Sequence, residues 1–240
     1  VGLGVLELSC GENRQAESLF RRALATSRDC VQAYEGLVQA AMPGPGSIEV
    51  LEEIHRELTP STYVQLGASR GATLRSVGLE TQCVVVSQDS ELDLDSVAPE
   101  ELYSMSSTSF FDSHDLREIM AGASVDLALL RAPSSFEALL GEFVALEKHA
   151  GPRTVVVVEG TYPVESRSAH RRERADYWVG DRWKLVSVLK AHRPDLYIQT
   201  MPCAPSGLTI ITGLDPESTT IGSRFEDLIG DFAPVGYEYL

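Results

Sequence analysis

The sequence predicts an α/β protein: a doubly wound, mostly parallel sheet ending in an antiparallel hairpin, preceded by an α-helical hairpin. Three observations lead there. Short apolar runs rich in β-branched residues, "TYVQLG", "CVVVSQD", "VDLALLR" and "TVVVVEG", alternate with segments of helical periodicity, as in a parallel sheet covered on both faces. The later stretch "LYIQTMPCAPSGLTIITGL" reads as two strands around a turn containing Pro and Gly, an antiparallel ending. Residues 1–42 instead carry apolar and small residues at helical spacing, with Gly11 and the polar "SRD" breaking the run into helices.

Along that first run the recurring positions are Leu3, Leu6, Ala16, Leu19, Phe20, Ala23, Leu24, Ala33 and Leu37. Leu3-Gly4, Gly11, Ala16, Phe20, Ala23-Leu24 and Ala33 resemble one tetratricopeptide repeat, although Arg28 stands where that family usually has a Pro. One repeat cannot bury its own apolar face. The resemblance therefore implies further repeats before Val1 in a longer parent protein, and a protein partner or other domains of that parent against the helices. A plain helical hairpin packed on the main domain is the other reading. The connection "MPGPGS" divides residues 1–46 from 47–240, and "IEVLEEIHREL" is an amphipathic helix leading into the sheet. Within the sheet region, "FFDSHDLREIMAG" and "FEALLGEFVALEKHAG" have helical periodicity, each expected to close at its final Gly.

Composition narrows the classes of function. With 240 residues, of which 43% are hydrophobic, the chain can bury a sizeable core. Its formal charge of -15 opposes nucleic-acid binding, which needs an excess of Lys and Arg to displace counterions from phosphates. The 4 cysteines lie far apart without a C-x-x-C pair, so a reduced, cytoplasmic chain without a metal site is expected. No apolar run reaches the roughly 20 residues that span a bilayer. The sequence opens on Val1 rather than Met, which fits a piece of a longer protein.

From about residue 62 to 215 the chain resembles the class I S-adenosylmethionine-dependent methyltransferases, in the branch acting on small molecules and sugars. The residues that carry the likeness are the glycine-bracketed turn "LGASRG", the segment "YWVGDRWKLVSVLKAHRPDL", the helix "GEFVALEKHAGP" and the terminal "PSGLTIITGLDP". The resemblance implies a Rossmann-like sheet with S-adenosylmethionine over the carboxyl ends of the strands, where glycines admit the cofactor and carboxylates hold its amino and hydroxyl groups. It also assigns positions. Gly67 and Gly71 keep the turn, but Gln65 stands where the family usually has an acid. At the end of the second strand, where an acid would hold both ribose hydroxyls, the chain has Ser87, with Asp89 two residues on either as a substitute or as an exposed turn residue. Thr108 takes the place of the adenine-facing acid. The family's "IDG-x-H" becomes "LRAPS", with Arg131 at the acid and Ser134 at the His, and its "DD" becomes Glu159-Gly160.

Five of these changes, at Gln65, Ser87, Thr108, Arg131 and Gly160, remove negative charge along one crevice. A charge-assisted hydrogen bond is worth about 1.5–3 kcal/mol, so several losses remove most of a micromolar affinity. Two functions follow from the resemblance. In one, the cofactor site has degenerated and the domain is a structural or interaction module of a tetratricopeptide-containing protein. In the other, the domain is an active methyltransferase on a sugar or natural-product hydroxyl or amine. Gly67, Gly71 and Asp89 then hold the cofactor, and Glu159 or His170 is the base, with Asp181 beside them. Tyr162, Arg171, Arg172, Trp183 and Lys184 are further acceptor-site candidates. The solvated helix face for His170 and its Arg run, and a helix-start pair for Asp181 with Lys184, are the alternatives. Arg131 with the basic run also allows a shift toward an anionic ligand such as a phosphosugar.

Overall fold

A computed structural model of the chain describes residues 1–67, 72–88, 101–131, 135–171 and 178–239. Three helices open it: α1 (Gly2–Ser9), α2 (Asn13–Thr26) and α3 (Val31–Ala41). The break between α1 and α2 falls at Gly11, whose φ of +78° suits a residue without a Cβ. These helices close around one ring. Phe20 is fully buried, and a Cβ on Gly36 or Gly4 would lie 2.2 Å or 2.8 Å from it, so the two glycines are what let α1 and α3 approach α2. Ala16, Ala33, Tyr34 and Leu37 complete this small core, which also takes Val164 from the far end of the chain.

Helix α4 (Ser47–Leu58) follows, its first turn held by Glu49, which accepts from the Gly46 amide at 2.9 Å. Then come β1 (Thr62–Leu66), β2 (Gln82–Val86) and β3 (Glu101–Tyr103). Helices α5 (Ser107–Ser113) and α6 (Leu116–Ile119) lead to β4 (Val125–Leu130), and α7 (Phe136–Glu147) to β5 (Ala150–Glu159). The chain continues through α8 (Trp183–His192), β6 (Tyr197–Met201), β7 (Leu208–Thr212) and α9 (Phe225–Phe232).

The strands form one seven-stranded sheet in the order β3-β2-β1-β4-β5-β7-β6. β1 to β5 pair in parallel and β7 runs antiparallel to both β5 and β6, so the expected sheet and its antiparallel ending are present. Strand order reverses between β1 and β4. In open α/β sheets that is where a crevice forms at the carboxyl ends.

Two helical expectations need correction. "FFDSHDLREIMAG" is two helices, because Asp115 starts a new one by accepting from the Arg117 amide; the segment does close at Gly122, with φ +87°. The helix in "FEALLGEFVALEKHAG" ends at Glu147, and Gly151 lies inside β5, beside the Ser124 hydroxyl, where a Cβ would be 2.4 Å from Oγ.

Period-2 alternation divides the core into two layers. Val64, Leu66, Ala128, Leu130, Val156 and Val158 face α7 and α8, while Tyr63, Val85, Leu127, Leu129 and Val157 face α4. In the α4 layer His55 is buried edge-on against Tyr63 at 4.7 Å, and neither ring nitrogen has a hydrogen-bond partner among the described residues. Burial lowers its pKa to about 4. The unfolded chain therefore takes up the proton first as pH falls below the ordinary value near 6.5, and stability falls with it. Between pH 7 and 5 the loss is about 2 kcal/mol from this group. Chemical denaturation of wild type and His55→Phe at both pH values checks this: the variant is expected to lose that part of the pH dependence.

Candidate cofactor crevice at the carboxyl ends of the strands

Gly67 follows β1 with φ +79°, and its amide donates to the Val86 carbonyl at 2.7 Å. Gly71, Asp89, Ser134 and Arg172 lie outside the described residues. Gln65 is fully buried and spent within the turn. Its Oε1 accepts from the Tyr63 and Thr73 hydroxyls at 2.8 Å and 2.9 Å, and its Nε2 donates to the Gly67 carbonyl at 3.1 Å. Ser87 is buried at the end of β2, where its amide donates to the Tyr103 carbonyl. Thr108 is exposed on α5; the hydroxyl of this turn that faces inward belongs to Ser107, which donates to Glu142 of α7.

Alternation places Gln65, Arg131 and Glu159 on the α4 side of three neighbouring strand ends. Arg131 continues the pairing of β4, its amide donating to the Leu66 carbonyl at 2.8 Å. Its Nε meets Glu159 Oε2 at 2.5 Å, and Glu159 Oε1 accepts from the Ser47 hydroxyl at 3.2 Å. Both oxygens of Glu159 are thus engaged, one by Arg131 and one by the first residue of α4. A carboxylate held this way is a poor general base, because taking a proton would break a charge-assisted pair.

A second guanidinium lies at the tip of the same strands. Arg182 donates from Nε to the Val179 carbonyl and from Nη1 to the Arg131 carbonyl, each at 3.0 Å. It passes so close over β5 that a Cβ on Gly160 would be 2.5 Å from its Cζ. Gly160, with φ +85°, is therefore the residue that admits Arg182 where the family has its second acid. Burial lowers the Arg182 pKa, Glu159 and Glu142 oppose this, and Arg131 adds to it. On the α7 side, Glu142 is buried with one oxygen bonded to Ser107 and the other without a partner among the described residues. Burial pushes its carboxyl up to about 7, against the Ser107 hydrogen bond and the Arg182 charge.

The remaining candidates lie apart from this group. Asp181 is fully enclosed: Oδ1 accepts from the Phe136 amide at 2.8 Å, capping α7, and Oδ2 pairs with Lys184 at 3.1 Å. Lys184 also donates to the Ala233 carbonyl, so the pair ties together the ends of three helices. His170 is half-buried, its carbonyl accepting from Trp178 Nε1 at 2.6 Å. Trp183 is buried and donates to the Ala169 carbonyl, Arg171 pairs with Glu137, and Tyr162 is exposed. Glu142 and Arg182 were not singled out in the sequence. Glu142 carried a signal nonetheless, since it falls on the buried stripe of α7 between Leu139 and Leu146, where a charge needs an explanation.

Among the described residues no cluster of His, Cys, Asp and Glu could hold a metal ion. No helix among them is long and apolar enough to cross a membrane. For S-adenosylmethionine the fit is partial. Gly67 has the positive φ that such a turn needs, but among the described strand ends the acids that would hold the cofactor are absent or, as with Glu159, already paired.

No family model matches the sequence, and no curated protein is similar enough in sequence to serve as a relative. Solved structures do match in shape. One is the O-methyltransferase TomG from Streptomyces achromogenes, involved in tomaymycin synthesis and solved with S-adenosylmethionine; it is 13% identical, with a TM-score of 0.52 over 70% of this chain and 79% of that one. Another is an O-methyltransferase from Bacillus cereus in complex with S-adenosylhomocysteine, 11% identical, with a TM-score of 0.51 over 70% and 81%. At such identities the likeness concerns the fold alone, and with the sheet order it supports a Rossmann-like, methyltransferase-type fold for this chain.

Proposed function

We propose that this chain is a methyltransferase-fold module whose S-adenosylmethionine site has degenerated, serving a structural or interaction role beside tetratricopeptide-like helices in a larger protein. The observation that carries this reading is the Arg131–Glu159 pair across the ends of β4 and β5, with Ser47 on the second Glu159 oxygen. It turns the acid at the described end of β5 into an internal counterion. The spent Gln65 amide and the guanidinium of Arg182 over Gly160 support the same conclusion. For the helices, support comes from the glycine-to-Phe20 packing and from α1, where Leu3, Val5 and Leu6 are exposed on the side toward which another helix pair would stack. The partner in this reading is another protein or another domain of the parent.

Calorimetric titration with S-adenosylmethionine and S-adenosylhomocysteine tests it. The expected result is no saturable binding up to about 1 mM ligand, the range reached when several charge-assisted contacts are missing. Low-micromolar binding of either compound would return the chain to the enzymes.

A further inference from the structure

The crevice has gained positive charge as well as losing negative charge. Arg131 uses only Nε on Glu159, and its two terminal nitrogens make no hydrogen bond among the described residues, although 27% of the side chain is accessible. Arg182 likewise leaves Nη2 unbonded there, while its other two nitrogens are fixed on carbonyls of residues 131 and 179. The Arg182 guanidinium is thus anchored to the backbone of the residue that carries the other guanidinium. After burial, the Arg131 charge is among the causes that lower the Arg182 pKa. Their acidic neighbours are Glu159, whose oxygens are both occupied, and Glu142, whose free oxygen is enclosed on the α7 side. In a chain of formal charge -15, an arginine at the end of β4 and a second one anchored on its backbone carbonyl, both with donors left over, are a built feature.

We propose that Arg131 and Arg182 make this crevice a binding site for a tetrahedral dianion, either free phosphate or the phosphate group of a small phosphate ester. The planar guanidinium fork suits such an oxyanion, and the fixed backbone anchors remove much of the ordering cost of binding. A dianion between the two guanidiniums relieves their mutual repulsion. The Arg131–Glu159 pair remains in place and orients the open side of Arg131. This inference rests on the degenerate-site reading, since a nucleoside cofactor and an oxyanion compete for the same strand ends.

The test is calorimetry on the whole chain with inorganic phosphate, with a hexose phosphate and, separately, with S-adenosylhomocysteine. Saturable binding of an anion with a dissociation constant below about 1 mM is expected. It should weaken about tenfold in Arg131→Met, which loses one charged donor set. It should tighten about threefold in Glu142→Gln, which removes a competing negative charge while keeping the shape. Tighter binding of the hexose phosphate than of phosphate assigns the site to an ester, and equal binding assigns it to the free ion. No saturable binding of either anion, an unchanged affinity in Arg131→Met, or an affinity not improved in Glu142→Gln overturns the anion site. Failure with both anions and with S-adenosylhomocysteine sinks only this inference, whereas low-micromolar S-adenosylhomocysteine binding sinks the degenerate-site reading on which it rests.

Discussion

Replacing Arg193 with Met is expected to cost about 4 kcal/mol of stability, the loss typical when one partner of a buried charge pair is removed. Arg193 is 2% exposed and holds two carboxylates at once. Nη1 lies 2.7 Å and 2.9 Å from the oxygens of Glu147 at the end of α7, and Nε and Nη2 hold Asp195 at 2.8–3.0 Å. Burial disfavours the Arg193 charge, but the hydrogen bonds it donates to Asp195 and Glu147 outweigh this and raise its pKa. Asp195 reaches solvent and survives the loss. Glu147 is 4% exposed and does not. In the variant Glu147 must take up a proton or stay charged without its partner, and its pKa is already raised by burial with Arg193 in place. Urea denaturation of Arg193→Met, Glu147→Met and the double variant measures this. The double variant is expected to recover much of the loss, because two apolar side chains of similar volume leave no unpaired charge.

Gly160→Val is expected to cost about 3 kcal/mol, or roughly 10 °C in Tm for a chain of this size. The backbone at φ +85° disfavours any side chain, most of all a β-branched one. The new Cβ also displaces the Arg182 guanidinium from carbonyls of residues 131 and 179. Thermal unfolding monitored by circular dichroism checks the size. A companion variant, Gly160→Asp, adds a carboxylate at this position, yet on the proposed reading it should not confer cofactor binding. The new carboxylate meets Arg182 at once and becomes another internal counterion.

Much of the architecture was readable because it depends on patterns that the chain repeats locally. The β-branched runs around Val84–Val86 and Val156–Val158 became central strands, and the Pro/Gly turn before Leu208 gave the antiparallel end. The errors lie where one residue type serves two structures. Gly151 looked like a helix terminator and is instead a strand residue kept small by Ser124. β3 has only three residues and no apolar run of its own, so no periodicity announced it.

For the crevice, the resemblance implied where acids would be missing, but nothing in the sequence told what the residues at those positions contact. That Arg131 turns onto Glu159, and that Ser47 reaches the same carboxylate across 112 positions of chain, depends on strand register and on where α4 starts. Neither is encoded in a short window. Asp181 and Lys184 carried the opposite lesson. Their sequence offered either an acceptor site or a helix-start pair, while the fold encloses both and uses them to join α7, α8 and α9.

The wedge that Phe20 drives between Gly4 and Gly36 also governs how the outer surface of α1 behaves. A helix of eight residues on its own would fray and reorient. Seated on a ring with no room for a single methyl group on either flanking glycine, it has one available angle. Leu3, Val5 and Leu6 are consequently displayed on a helix whose seat is fixed from below, so a partner of the kind proposed would meet them with little left to order.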